Sequence, residues 1–208
     1  MRVEGLYALT PEGPDDALLT QVESALGAGL RLLQVRSKCG PTERARMTAK
    51  VVALCRRYGA TCIVNDDAVL AAQTGADGVH LGRDDGSVAA ARAVLGADAI
   101  IGVSCYDDLA RAQRLRAEGA DYVAFGSFFA SSVKPAAVRP PLDLLARARA
   151  VLDCPIVAIG GITLATAPLV RDAGADALAV ITDVFSAADI GARVRAYGRL
   201  FARAATVE

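Results

Sequence analysis

Histidine is almost missing from this chain, with His80 the single example among 208 residues, and the five cysteines, Cys39, Cys55, Cys62, Cys105 and Cys154, contain no C-x-x-C pair. These shortages argue against a zinc site, and an odd set of scattered thiols argues against a disulfide framework. A surplus of either charge is also lacking, since Lys+Arg and Asp+Glu both number 23. No strongly basic surface for nucleic acid and no acidic tail is implied, so a charged ligand must be met by a local cluster. The opening Met1-Arg2-Val3-Glu4-Gly5 has no basic stretch leading into an apolar segment. No charge-free run is long enough to span a bilayer either. The expectation is a protein of the cytoplasm, where thiols stay reduced, with no membrane or nucleic-acid partner. Linkers, low-complexity tracts and charge blocks are lacking too. Residues 1–208 are therefore read as one domain, a length common for a single α/β barrel and short for two independent cores.

What the chain does have is apolar surface: 53% of its residues are hydrophobic and 22% charged, with a mean hydropathy of +0.35. Short β-rich runs alternate with longer Ala/Leu/Arg segments of helical period, the pattern of successive βα units around a parallel sheet. The strand expectations are Leu6–Thr10, Leu30–Arg36, Thr61–Val64, Gly78–Leu81, Ile100–Val103, Tyr122–Phe125, Ile156–Ile159 and Ala177–Ile181. Several are continuous apolar runs, as strands covered on both faces should be. A turn is reused between helix and strand: Gly75-Ala76-Asp77, Gly119-Ala120-Asp121 and Gly174-Ala175-Asp176, with Gly27-Ala28-Gly29 a looser copy. Glycine there ends a helix in the left-handed conformation and lets the chain enter the next strand. Eight units without a solenoid consensus predict a single closed (β/α)8 TIM barrel of eight parallel strands. Helix caps are expected from Asp15 or Asp16, Thr42, Ser87, Asp107 and Thr163, while Pro168 implies a kink or a late helix start. Gly126–Pro141, the longest irregular piece, is the expected active-site loop.

A barrel of this kind places its reacting groups at the C-terminal ends of the strands, and polar residues cluster there. Period-two alternation projects Gln34, Arg36 and Lys38 one way while the second strand lasts. The third strand leads to Asn65-Asp66-Asp67, the fourth to Arg83-Asp84-Asp85 and the fifth to Ser104. The sixth leads to Ser131-Ser132-Val133-Lys134, the seventh to Gly160-Gly161 and the eighth to Thr182-Asp183. Taken singly, each has a bland role. Gln34-x-Arg36-x-Lys38 could be a solvated strand end, Asp66, Asp67, Asp84 and Asp85 could cap helices, His80 could line the barrel, and Cys62 and Cys105 could be buried small hydrophobes. Acids and cations brought to one rim by different strands fit a phosphate ligand with Mg²⁺, a hard ion that takes one or two carboxylates, here Asp66 and Asp85, and keeps water and phosphate oxygens. Gly160-Gly161 and the amides near Ile181-Thr182 suit the phosphate cradle that barrels build after strands seven and eight.

The series Gln34-x-Arg36-x-Lys38, Val64-Asn65-Asp66-Asp67, Gly78-Val79-His80-Leu81-Gly82, Gly102-Val103-Ser104, Ile159-Gly160-Gly161-Ile162 and Val180-Ile181-Thr182-Asp183 resembles the thiamine-phosphate synthase family from Leu6 to about Phe185. The resemblance implies a Mg²⁺-dependent transferase. It would join 4-amino-2-methyl-5-hydroxymethylpyrimidine diphosphate to a thiazole phosphate, with pyrophosphate leaving first to give a resonance-stabilised pyrimidinylmethyl cation that the thiazole nitrogen attacks. It also implies that Gln34, Arg36, Lys38, Asn65, Ser104 and Lys134 hold the pyrimidine diphosphate. Arg36, Lys38, Ser104 and Lys134 would serve the chemical step, and Asp66 and Asp85 would ligate Mg²⁺. Ser131, Ser132, Val133, Gly161, Ile181 and Thr182 would receive the thiazole phosphate. The chain departs from the family pattern at Val133, where a hydroxyl is usual, at Arg83, where glutamine is frequent, and at Thr182, where serine is frequent. The competing expectations are a thiazole tautomerase of the same fold, which uses a histidine after strand five where this chain has Tyr106, and a non-catalytic phosphate-binding barrel.

Overall fold

The computed structural model describes residues 3–12, 15–130 and 139–202. Its strands are β1 (Gly5–Leu9), β2 (Leu32–Val35), β3 (Thr61–Asn65), β4 (Gly78–Leu81), β5 (Ile100–Tyr106), β6 (Tyr122–Phe125), β7 (Ile156–Ile159) and β8 (Ala177–Val180). They pair in parallel in chain order, and β8 returns to β1, closing the eight-stranded barrel. The helices are α1 (Asp15–Gly27), α2 (Pro41–Arg57), α3 (Ala68–Thr74), α4 (Val88–Leu95), α5 (Leu109–Ala117), α6 (Asp143–Val151), α7 (Ala167–Asp172), α8 (Thr182–Phe185) and α9 (Ile190–Phe201). None is long and apolar enough to cross a membrane.

Side-chain alternation divides the buried residues into two bodies. Leu6, Ala8, Leu33, Val35, Val123, Phe125, Ile156, Ala158, Leu178 and Val180 face outward into the layer shared with the helices. Tyr7, Leu9, Leu32, Ile63, Tyr122, Ala124, Val157, Ala177 and Ala179 fill the barrel itself. This two-sided burial is why the strands read as unbroken apolar runs. The interior alternates large with small, because two tyrosines must share a narrow tube. A Cβ on Gly102 would lie 1.9 Å from Cζ of Tyr122, so the missing side chain at Gly102 is what seats that ring.

The repeated Gly-Ala-Asp turn has a structural job at the N-terminal ends of the strands. Gly75, Gly119 and Gly174 all have positive φ, at 67°, 99° and 116°. Each following aspartate then reaches back to the neighbouring strand. Asp77 accepts from the amide of Cys62, Asp121 from Ile101 and Asp176 from Ile156, each at 2.7 Å. Arginines complete two of the turns, with Arg92 on Asp121 at 2.8 Å and Arg149 on Asp176. Asp121→Ala is expected to cost about 1–2 kcal/mol, the worth of a charge-assisted hydrogen bond at a half-exposed site. Urea denaturation should show a lower midpoint with unchanged slope, and turnover at 25 °C should stay at the parent level.

Several local expectations need correction. α2 is capped by Gly40 with Pro41 leading the helix, because proline suits the first turn, and not by Thr42. Asp108, not Asp107, accepts from the Arg111 amide and caps α5. Thr163 lies three residues ahead of Thr166, the cap position of α7, and the two bond reciprocally in a turn: the Thr166 hydroxyl accepts from the Thr163 amide at 3.0 Å and the Thr163 hydroxyl from the Thr166 amide at 3.4 Å. That turn delays the helix to Ala167, which leaves Pro168 harmlessly in its first turn. Ser87 does cap α4, as read. The cap expected of Asp15 or Asp16 rests on side chains outside the described part.

Candidate active site

At the C-terminal ends of the strands the barrel opens into a cavity of about 790 Å³. From the sequence-derived set, Gln34, Arg36, Asn65, Asp66, Asp85, Ser104, Gly161, Ile181 and Thr182 all line it. Lys38 does not: β2 ends at Val35, and three residues on Lys38 is exposed, its amide donating to Glu12 at 3.2 Å. Ser131, Ser132, Val133 and Lys134 lie outside the described residues. Of the expected loop Gly126–Pro141, the described start is pinned on β7. The Phe128 amide donates to the Ile159 carbonyl at 3.1 Å and the Phe129 amide to the Gly160 carbonyl at 3.0 Å.

Each polar group is set by its strand end. Thr10, just past β1, accepts from the Arg36 amide at 2.8 Å and donates to the Arg36 carbonyl at 3.0 Å, which fixes the backbone that carries the guanidinium. Beyond β3 the two aspartates part company. Asp67 is the helix cap, accepting from the Leu70 amide at 2.8 Å and pairing with Arg44 at 2.6 Å. Asp66 is held at φ 68°, a conformation uncommon for residues with a side chain, and accepts from the Asn65 amide group at 2.6 Å. Beyond β4, Asp85 is likewise no cap: its carboxylate accepts from the Gly82 amide at 2.7 Å, and Ser87 does the capping. The Ser104 carbonyl accepts from Arg111 of α5 at 2.9 Å. On the far wall Asp183 is structural, accepting from Tyr197 at 2.8 Å and from Arg193 at 2.5 Å.

Of the cavity floor, the sequence expectations include Gln34, Ser104 and a barrel-lining His80, but not its two tyrosines. Tyr7 lies there beside Gln34, Ser104 and His80, and the Tyr122 hydroxyl bonds to both Tyr7 and His80 at 2.9 Å. The signal was present in period two, since Tyr122 stands two residues before cavity-lining Ala124 and Tyr7 two before Leu9. Arg83 and Tyr106 were also undervalued. Both line the rim, with the Arg83 guanidinium 4.8 Å above the Tyr106 ring, a cation–π contact.

The electrostatics separate structural from reactive groups. Cys105 is buried behind β5, and burial pushes its thiol up to about 12, so it is no nucleophile at neutral pH. The hydrogen bond with Cys55, and then burial, raise the Cys62 thiol, and burial raises that of Cys154. Only Cys39 is exposed. A disulfide reagent at pH 8 should therefore modify Cys39 alone in the folded protein and all five thiols after denaturation; rapid reaction at a second folded-state thiol would contradict this burial.

Among the described residues no three His, Cys, Asp or Glu side chains group as metal ligands. On this rim Asp66 and Asp85, each held by a hydrogen bond, line the cavity together with Asp84, Asp107, Asp183 and Asn65. That all-oxygen set matches an ion that shares its shell with water and phosphate, and does not match a closed protein cage.

The model of the family described as thiamine monophosphate synthase matches residues 6–184. A thiamine-phosphate synthase of Azoarcus sp. (strain BH72) is 59% identical over 97% of this chain and 98% of its own length. One from Aromatoleum aromaticum is 53% identical over 96% and 97%. Among solved structures, a thiamine phosphate pyrophosphorylase from Pyrococcus furiosus superposes with a TM-score of 0.83 at 31% identity, covering 94% of each chain. The 3-hexulose-6-phosphate synthase of Salmonella typhimurium, at 22% identity and a TM-score of 0.70 over 94% of this chain and 97% of its own, shares the fold alone. With the match running from β1 into α8 across every strand that builds the cavity, the chain belongs to the thiamine monophosphate synthase family.

Proposed function

We propose that this chain condenses 4-amino-2-methyl-5-hydroxymethylpyrimidine diphosphate with a thiazole phosphate, releasing pyrophosphate and forming thiamine phosphate. The observation that carries the reading is the meeting of Arg36, Asn65, Asp66, Asp85 and Ser104 from β2 to β5 with Gly161, Ile181 and Thr182 from β7 and β8 on one cavity. Gln34, Arg36, Asn65 and Ser104 would bind the pyrimidine diphosphate, joined by Lys38 and Lys134 once substrate is present. Gly161, Ile181 and Thr182, with Ser131, Ser132 and Val133, would receive the thiazole phosphate.

Asp66 and Asp85 would hold Mg²⁺, which supplies neutralisation of charge on the departing pyrophosphate. Arg36, and the lysines with it, would add preorganised positive charge at the same oxygens. The methylene C–O bond breaks with its electron pair leaving on pyrophosphate. The amino group of the pyrimidine delocalises the resulting positive charge, and the lone pair of the thiazole nitrogen forms the new C–N bond. No protein nucleophile enters this sequence. Two substrates bound face to face gain the entropic advantage of proximity, which lets nitrogen outcompete water. The five free thiols suit a reducing compartment such as the cytoplasm.

The test is pyrophosphate release by purified protein with both substrates and Mg²⁺. Release that requires both substrates and stops with EDTA is expected. A protein that releases none under these conditions does not have this activity.

A further inference from the structure

Five side chains cross the barrel floor in one hydrogen-bonded line. The Gln34 amide donates to the Tyr7 hydroxyl, which bonds to the Tyr122 hydroxyl; Tyr122 bonds to Nδ1 of His80, and Nε2 of His80 bonds to the Ser104 hydroxyl. All four contacts measure 2.9 Å. Gln34, Tyr7, Tyr122 and His80 are buried. The line runs from β2 through β1, β6 and β4 to β5, so its ends are the two sequence-derived substrate contacts on different strands.

The interior members each have too few protons for two neighbours. A phenol carries one O–H, and a neutral imidazole carries one N–H. A phenol oxygen can accept twice, but among the described residues Tyr7 is bonded only to Gln34 and Tyr122, so its buried proton finds an acceptor only when every proton along the line points the same way. With the Gln34 NH₂ donating, Tyr7 donates to Tyr122, Tyr122 donates to Nδ1, and the imidazole proton sits on Nε2 and is given to Ser104. The Ser104 hydroxyl keeps its own proton for another acceptor. Were the line reversed, the Ser104 proton would be spent on His80.

We propose that Tyr7, Tyr122 and His80 are positioning residues forming a polarised relay that locks Ser104 as a donor and Gln34 as the opposing partner, and so selects an aminopyrimidine over its oxo analogue. The selectivity half rests on the substrate reading above, because an oxo group and its ring N–H exchange the donor and acceptor places of the amino form. Burial first of all raises both phenols of the relay, so each keeps the proton that the line requires.

The single histidine makes the relay readable without substrate. In ligand-free protein labelled with ¹⁵N-histidine, the ring nitrogens of His80 should show a neutral imidazole protonated on Nε2. In Gln34→Glu the new carboxylate can only accept, so the line should reverse and move the proton to Nδ1, two tyrosines away from the change. Adding Tyr122→Phe to Gln34→Glu should abolish that response, giving the spectrum of Tyr122→Phe alone. Should Gln34→Glu not fold, Tyr7→Phe, which deletes one oxygen, should draw the two nitrogen shifts together as the lock is released. A proton on Nδ1 in the parent protein, or a His80 spectrum indifferent to whichever of these changes is made beyond its contacts, overturns the relay. Preference for the amino over the oxo pyrimidine diphosphate should fall about tenfold or more in Tyr122→Phe, the worth of one mismatched buried hydrogen bond; an unchanged preference overturns the selectivity. Pyrophosphate release by the parent tests the condensation separately, so the two ideas fail independently.

Discussion

Asp66→Asn is expected to lower pyrophosphate release by about 10²-fold or more while leaving the fold intact. The estimate follows from charge stabilisation of several kcal/mol by a bound divalent ion, at 1.36 kcal/mol per tenfold in rate. Asparagine is the informative replacement because Asp66 sits at φ 68°, and asparagine tolerates that region nearly as well as aspartate does. It also preserves a carbonyl oxygen for the Asn65 amide, which reaches Asp66 at 2.6 Å. What it removes is the negative charge. The thermal midpoint should move by less than about 3 °C, within the range of a surface change in a domain this size. Higher Mg²⁺ should recover part of the rate. Cys105→Ala, which trims a packed thiol outside the cavity lining, should change turnover by no more than about twofold. Equal losses in the two variants would refute the metal-binding role of Asp66.

The second large effect is expected at Gly161. Its φ of 59° disfavours any side chain, and a Cβ there would stand 2.2 Å from the Ala130 carbonyl oxygen, a backbone atom that cannot swing aside. Gly161→Ala must therefore shift either the end of β7 or the segment pinned on it. Overpacking of this kind costs roughly 1–3 kcal/mol. If Gly161 cradles the thiazole phosphate, the KM for that substrate should rise about tenfold or more, with a much smaller change for the pyrimidine diphosphate. Steady-state kinetics with each substrate varied in turn will show this. A uniform loss in both would mean that Gly161 serves only packing.

The fold was largely legible because period and punctuation agreed. Strands covered on both faces are apolar throughout, so Ile156–Ile159 and Tyr122–Phe125 carry their own boundaries. Strand ends were harder: β5 runs on to Tyr106, because Ser104 and Tyr106 pair with β6 across a register shift that no pattern of hydrophobicity marks. Caps fall one to three residues from their expected positions for a similar reason, since Asp107 and Asp108 are equally able acceptors and only the helix axis chooses between them. In the site, residues from separate strands could be assigned to one rim from barrel geometry alone. Which aspartate of Asp66-Asp67 faces the cavity could not, because the choice depends on a left-handed backbone at Asp66 and on Arg44 reaching across from α2. The two tyrosines of the floor were hidden by their chemistry. A phenol in an apolar strand reads as core until its hydroxyl is seen to have partners.

The carboxylates of Asp77, Asp121 and Asp176 stitch the barrel at the pole remote from its opening. The stitched turns thus lie at one extremity and the cavity at the other. Grafting, tagging or surface immobilisation through the turns beside the stitched pole would therefore leave substrates an unobstructed approach, whereas the same handle on the loop after β2 or β4 would stand in their way.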